Sequence, residues 1–313
     1  MELHCQLKLH VLEQQIGNAM PPRSSTPSIK SSIPAISLSI LISAAHADPS
    51  IPACDGSVLS DRQDNVSKTR DAQPHWESLL AMASPRLTQG FRYNYARQYS
   101  ADGSVLENYG MGKGLDLIVG RNFAIQAGVP AYIEKRNNGS GSGGWADEAL
   151  LGRYRFASAS EENGNYIFSG SLGVSIPTGT SRFSAHRTVF TPALAGGKGW
   201  GTKFRGFSIQ SSISASVPDG NLAGIGMPVS GSAAFQAHSF RYVWPEVEAA
   251  YTHWHKGAYD GKNQLVLTYG LVFGRFEIEG RKKLTLGIGY REQAGTRFGT
   301  LVREWISMIK LSF

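Results

Sequence analysis

The chain has 313 residues, 41% of them hydrophobic, with 36 glycines, 12 tyrosines, 14 phenylalanines and 6 tryptophans, and a formal net charge of +7. Its two cysteines permit at most one disulfide and no cysteine-built metal centre. Past the N-terminal region no apolar run approaches the ~20 residues a membrane helix needs, so entry into a membrane would have to be as strands.

Residues 31–47 read SSIPAISLSILISAAHA, an apolar run closed by the small-x-small pattern Ala45-His46-Ala47, with Arg23 and Lys30 ahead of it. Basic, apolar and small residues in that order are the mark of a secretory signal peptide, expected over residues 1–47, with Met20 as an alternative start. Acylation at Cys54 is the rival, but His46 and Asp48 interrupt the apolar run that should lead to such a site. Removing the leader takes away Cys5 and leaves Cys54 alone, so no intramolecular disulfide is expected. Three basic and two acidic residues leave with it, so the net charge moves only to +6. An exported chain of that charge seldom meets nucleic acid, and none is expected as a partner.

Residues 48–85 are polar and irregular except for HWESLLAMA. That stretch is expected to be a short helix, and the whole region either an extension in the periplasm or a plug.

From about residue 86 the sequence falls into alternating segments near the ~9–11 residues of a tilted transmembrane strand. In NYIFSGSLGVSI, residues Tyr166, Phe168, Leu172, Val174 and Ile176 share one parity, and Ile167, Ser169, Ser171, Gly173 and Ser175 the other. The same split recurs in FSIQSSISASV, NQLVLTYGLVFG and KLTLGIGYR. A soluble sandwich would expose a charged face, whereas Gly, Ser, Thr and Gln suit the confined interior of a barrel. The fold class predicted is therefore all-β: a transmembrane antiparallel up-and-down barrel of about 12 strands over residues 86–313, in a bacterial outer membrane.

Eleven strands are evident, and an even number is needed to bring both ends to one side. The segments ending SIPTG and SVPDG both read as upward strands, so a downward one must lie between them. HRTVFTPALAG fills that place despite Pro192, which removes a ladder donor. The twelve are then 86–98, 106–119, 121–132, 147–156, 165–176, 186–195, 203–217, 230–240, 242–253, 263–275, 282–291 and 301–313. KRNNGSGSGGWA becomes an outer loop and SASEENGN an inner turn.

The runs SIPTGTSRFS, TPALAGGKGWG, SVPDGNLAGIGMPVSGSAAFQ, WPEVEAAYTHWHKG and YGLVFGRFEIEGRKKLTLGIGYR, in that order, resemble the outer-membrane transporter family named for the meta-pathway of phenol degradation. The likeness spans roughly residues 86–313. It implies an outer-membrane barrel passing small hydrophobic or aromatic compounds, with membrane lipid and the barrel assembly machinery as partners, and brings no binding residues with it.

If the apolar parity faces lipid, the lumen receives Arg92, Asp116, Arg153, Arg155, Glu246, Glu248, Lys283 and Arg291, together with Glu304 and Lys310. Such groups either bridge across a narrow interior as struts or line a charge-selective constriction. Arg153/Arg155 and Glu246/Glu248 are like-charged neighbours on one wall, and each pair calls for a counter-charge. His253 and His255 have metal-like spacing but lack a third ligand, so neither a metal nor any other cofactor is expected. Two other classes stay open: a barrel hydrolase using Ser184/His186 or His238/Ser239, and a purely structural or adhesive barrel. The closing strand, REWISMIKLSF, puts Trp305, Ile309, Leu311 and Phe313 on one parity and resembles the aromatic-ended signal read by the assembly machinery.

Overall fold

The computed structural model describes residues 57–313 apart from 138–139, 203–204, 239–241 and 296–300. The expected signal peptide, Cys54 and Ser239 lie outside the described residues.

Two-residue alternation is realised as one closed antiparallel sheet. Its strands are β1 (Gly90–Tyr99), β2 (Val105–Gly120), β3 (Phe123–Gly128), β4 (Tyr132–Asn137), β5 (Ser140–Trp145), β6 (Glu148–Ala159), β7 (Tyr166–Ile176) and β8 (Val189–Thr202). They continue with β9 (Arg205–Ala215), the two-residue β10 (Val217–Pro218), β11 (Met227–His238), β12 (Val243–His255), β13 (Asn263–Glu279), β14 (Lys282–Ala294) and β15 (Arg303–Ser312). β1 pairs β2 on one side and β15 on the other, in register from Gly90↔Ser312 to Tyr99↔Arg303, which closes the barrel.

Twelve staves make the wall, because three of them are broken, one being β9 with β10, which both pair β8. β2 pairs β3 through Gly114–Gly120 and β4 through Val105–Tyr109, so β3 and β4 are two halves of one stave. β6 pairs β3 while β5 pairs β4, which splits the next stave in the same way. The Gly/Ser-rich segment around residue 140 is thus not the loop its composition predicts. It is a hairpin extending the wall, in register from Tyr132↔Trp145 to Asn137↔Ser140.

The inferred downward strand is present and longer than expected. β8 runs 14 residues, with Pro192 opposite Leu172.

Outside, the barrel is apolar. Leu172, Leu194, Ile209, Ile213, Val247, Ile288 and Ile309 are all exposed. At one end the outward rings touch strand to strand: Phe156–Phe168, Trp200–Phe207–Phe235 and Tyr242–Phe276, with centroids 5.1–5.7 Å apart. Tyr132–Trp145 and Tyr290–Trp305 do the same at the other end. An apolar band between aromatic girdles is the exterior of an outer-membrane barrel. The end bearing Phe156 and Trp200 carries the short turns, such as the 3-10 turn Glu161–Asn163 and the reversal at Gly280–Arg281, and is therefore the periplasmic end.

The helix predicted over HWESLLAMA is absent. Its residues are irregular, and the helix lies upstream as α1 (Ser57–Asp71). A four-residue α2 (Leu222–Ile225) sits in an outer loop. β1 also starts at Gly90 rather than 86, which assigns Arg86 and Leu87 to the stretch before the barrel.

Candidate functional site

Residues 72–89 run through the barrel interior. Gln73 draws them into a closed loop, its Nε2 donating to the Leu87 carbonyl at 2.7 Å and its Oε1 accepting from the Leu87 N–H at 3.0 Å. Leu79, Leu80 and Leu87 are fully buried, each worth roughly 1.5–3 kcal/mol of transfer free energy.

The wall is shaped to receive this inner segment. Glycines on the inward parity of β13 and β14 form a socket for Leu80: a Cβ at Gly287 would stand 2.6 Å from that side chain and one at Gly289 2.8 Å, with Gly270 still closer. Gly197 and Gly199 of β8 do the same for Trp76, each placing a Cβ 2.7 Å from the indole. Trp76 Nε1 also donates to Asn165 Oδ1 at 3.0 Å. Larger side chains at these positions would have to displace the segment.

Six of the eight residues expected to line the lumen hold this stretch or the end of α1. Arg92 donates to the carbonyls of Leu79 (3.0 Å) and Leu80 (2.8 Å). Asp116 accepts from Thr88 Oγ1 at 2.9 Å. Arg153 donates to the Arg86 carbonyl at 2.8 Å, and Arg155 to that of Thr69 at 2.8 Å. Glu246 accepts from the Leu80 N–H at 2.8 Å and from Gln236 Nε2 at 2.8 Å. Glu248 accepts from the N–H groups of Ala81 (2.9 Å) and Met82 (2.5 Å). The like-charged pairs are therefore not compensated by each other across the lumen, as sequence reasoning expected. Backbone dipoles of the inner segment do that work: three consecutive N–H groups form a nest for two carboxylates, and carbonyls face the arginines.

The other two stand apart. Arg291 pairs with Glu304 at 2.7 Å, both buried, in the outer half of the lumen. Lys283 lies at the periplasmic mouth, 3.5 Å from Glu277. Lys310 reaches Ser78 Oγ at 2.5 Å. Of the terminal row, Trp305 and Ile309 face outward and Leu311 is half-buried, while the Phe313 carbonyl accepts from Arg70 Nη1 at 3.1 Å.

Sequence reasoning missed Arg275, whose guanidinium bonds the buried Glu77 carboxylate and the carbonyls of His75 and Trp76. Strict alternation from Leu271 and Phe273 would aim Arg275 at lipid. A bulge between Gly274 and Phe276, with Arg275 at φ +26°, turns it inward instead.

The inner segment is also tied to the periplasmic rim. His75 donates its backbone N–H to Glu161 Oε1 at 2.5 Å, and its Nδ1 lies 2.9 Å from Oε2. Burial alone would raise the Glu161 carboxyl, but these bonds outweigh it and hold the group down at about 2. A lowered folded value stabilises above the ordinary 4.5 and is lost as pH falls toward 2. Proteolysis within residues 72–89 should thus stay slow down to about pH 4 and accelerate between there and pH 2, and Glu161→Gln should show the acid-state rate at neutral pH.

Ser184, one of the proposed nucleophiles, is buried under the outer loop, and its Oγ accepts the backbone N–H of exposed His186 at 3.0 Å. The loop carrying it is held by Asp147, which accepts from Gly179 and Ala185. His238 stacks on Trp244 at 3.6 Å, and His253 Nδ1 lies 2.6 Å from Asn263 Oδ1.

β6 to β9 are hollow on both faces. Outside lies an apolar groove of about 990 Å³ between Phe123, Leu150, Tyr154, Leu172, Leu194 and Ile213. Inside, a small cavity of about 50 Å³ lies against Ala83 and Ser84, and Arg153 is its only charged neighbour. The wall between consists of small residues such as Ser171, Ala193 and Ser214, which border both.

No family model and no curated protein matches the chain. Among solved structures it is similar to the COG4313 outer membrane channel from Pseudomonas putida F1, at 8% identity and TM-score 0.48, over 72% of this chain and 96% of that one. The KdgM porin (12% identity, TM-score 0.41) and the NanC porin (9%, 0.41) are each matched over 72% of this chain and 99% of their own. What the chain shows by itself is the fold: a closed twelve-stave outer-membrane barrel with residues 72–89 folded inside.

Proposed function

We propose that the protein is a passive outer-membrane channel for small hydrophobic or aromatic compounds, with residues 72–89 as a plug that leaves a narrow apolar way past it. The observation that carries this reading is the pair of hollows on β6 to β9. The inner cavity offers an apolar solute one charge and many small side chains, and the outer groove on the other side of the same wall opens to the lipid. Arg92, Asp116, Arg153, Glu246 and Glu248 are already bonded to the plug, so a hydrated solute would have to break those bonds to pass them. The resemblance to the phenol meta-pathway family points to the same solute class.

Uptake of a radiolabelled aromatic hydrocarbon such as naphthalene, by cells whose outer leaflet carries lipopolysaccharide, tests it. Gly173 faces the inner cavity, and a Cβ there meets Thr191 only at an ordinary 3.5 Å. Gly173→Val should narrow the cavity without dislodging the wall and lower naphthalene uptake several-fold while the ionic conductance of the purified barrel is unchanged. Unaltered uptake alongside altered ion conductance would point to a polar pore instead.

A further inference from the structure

A second cavity, of about 410 Å³, opens at the periplasmic mouth between the inner segment and the ends of β13 to β15. Its size falls in the range of small-molecule sites. Six cations line it: Arg70 of α1, Arg86 of the inner segment, Arg275 of β13, Arg281 of the following turn, Lys283 of β14 and Lys310 of β15. Only three carboxylates join them, Asp71, Glu77 and Glu277.

Two of those carboxylates are already engaged, Glu77 by Arg275 and Glu277 by Lys283, while Asp71 is largely exposed to solvent. The remaining four cations bond no side-chain carboxylate: Arg70 meets an oxygen of the terminal residue Phe313, Arg281 Ser67 Oγ at 3.4 Å, Lys310 Ser78 Oγ, and Arg86 the Trp76 carbonyl. Arg86 is 8% exposed, and its Nε, also buried, has no acceptor among the described residues. Glu77 is one carboxylate set against Arg275, Lys310 and Arg86 together, so a buried guanidinium with an idle N–H still faces an excess of cations across the cavity.

We propose that this cavity binds a small oxyanion carrying two or more negative charges, of carboxylate or phosphate type, drawn from the aqueous periplasm. Guanidinium forks are matched to such groups and bind them in bidentate fashion. The lining comes from the inner segment and the inner side of the mouth, not from the lipid face, so the ligand is a free solute rather than a lipid headgroup. Because Arg70 and Arg86 precede the barrel while Arg281, Lys283 and Lys310 belong to its wall, a bound anion ties the two together.

Citrate and inorganic phosphate are the probes, titrated into the full-length protein in uncharged detergent and followed by calorimetry and by tryptophan fluorescence, since Trp76 bonds both Arg86 and Arg275. Saturable binding is expected with either probe and none with chloride at matched ionic strength. Arg281→Gln removes one charged donor, worth about 1.5–3 kcal/mol, and should weaken binding about tenfold or more while the barrel keeps its heat-dependent gel mobility. Lys283→Gln, at a half-exposed position, should weaken it in the same direction. Binding also slows proteolysis within residues 72–89. The proposal is overturned if chloride matches the probes, or if both variants bind like the parent.

Discussion

A Glu246→Leu, Glu248→Leu double variant is expected to conduct ions where the parent is nearly silent. Together the two carboxylates accept the N–H groups of Leu80, Ala81 and Met82. Leucine fills a similar volume and accepts nothing, so each buried N–H is orphaned at about 1–3 kcal/mol. Three such losses exceed what the neighbouring contacts of Arg92 can hold in place, and the inner segment leaves its seat. The barrel wall survives, because its ladders run between backbone groups on which neither side chain acts. Planar-bilayer recording checks the opening and heat-dependent gel mobility checks the fold. A folded double variant as silent as the parent would show that residues 72–89 do not close the lumen.

Arg275→Met should have a comparable effect through charge. It removes the direct partner of the buried Glu77 carboxylate, leaving only the more distant Lys310 and Arg86, and breaking such a pair costs about 3 kcal/mol. Adding Glu77→Gln removes the stranded charge, so the double variant should regain most of the parent's resistance to proteolysis in residues 72–89. If the two substitutions are simply additive, the pair does not anchor the segment. The comparison needs no assumption about solute or conductance.

How far the barrel was legible follows from its physics. The wall has one rule, apolar out and small or polar in, and each strand repeats it, so Tyr166 to Ile176 could be assigned to faces from sequence alone. Parity then forced the strand through Pro192. The β4–β5 hairpin escaped because Ser140, Gly141 and Gly143 carry no apolar parity, which a strand beyond the lipid does not need. The inner segment was harder still. Its irregular backbone is stabilised by partners more than 150 residues away, Glu246 and Glu248 above all, and no local pattern announces such contacts. The inward charges were found, but counter-charges were sought where main-chain groups answer. Arg275 was lost to a bulge, since one extra residue inverts the parity on which the reading depended. Gly270, Gly287 and Gly289 were read as small lumen residues, and only the fold reveals them as the socket of one leucine.

The nest of N–H groups at Leu80, Ala81 and Met82 separates the grip on the segment from the identity of its side chains. Every residue except proline presents the same donor, so Glu246 and Glu248 hold the backbone whatever is encoded at 81 and 82. What limits exchange there is packing alone: Ala81 lies buried with Ala96, Met111 and Ile306, and Met82 with Leu79 and Ala234. Leu80 is likewise held twice, by its backbone and by its glycine socket, so all three residues join a side-chain-blind grip to a side-chain-specific fit.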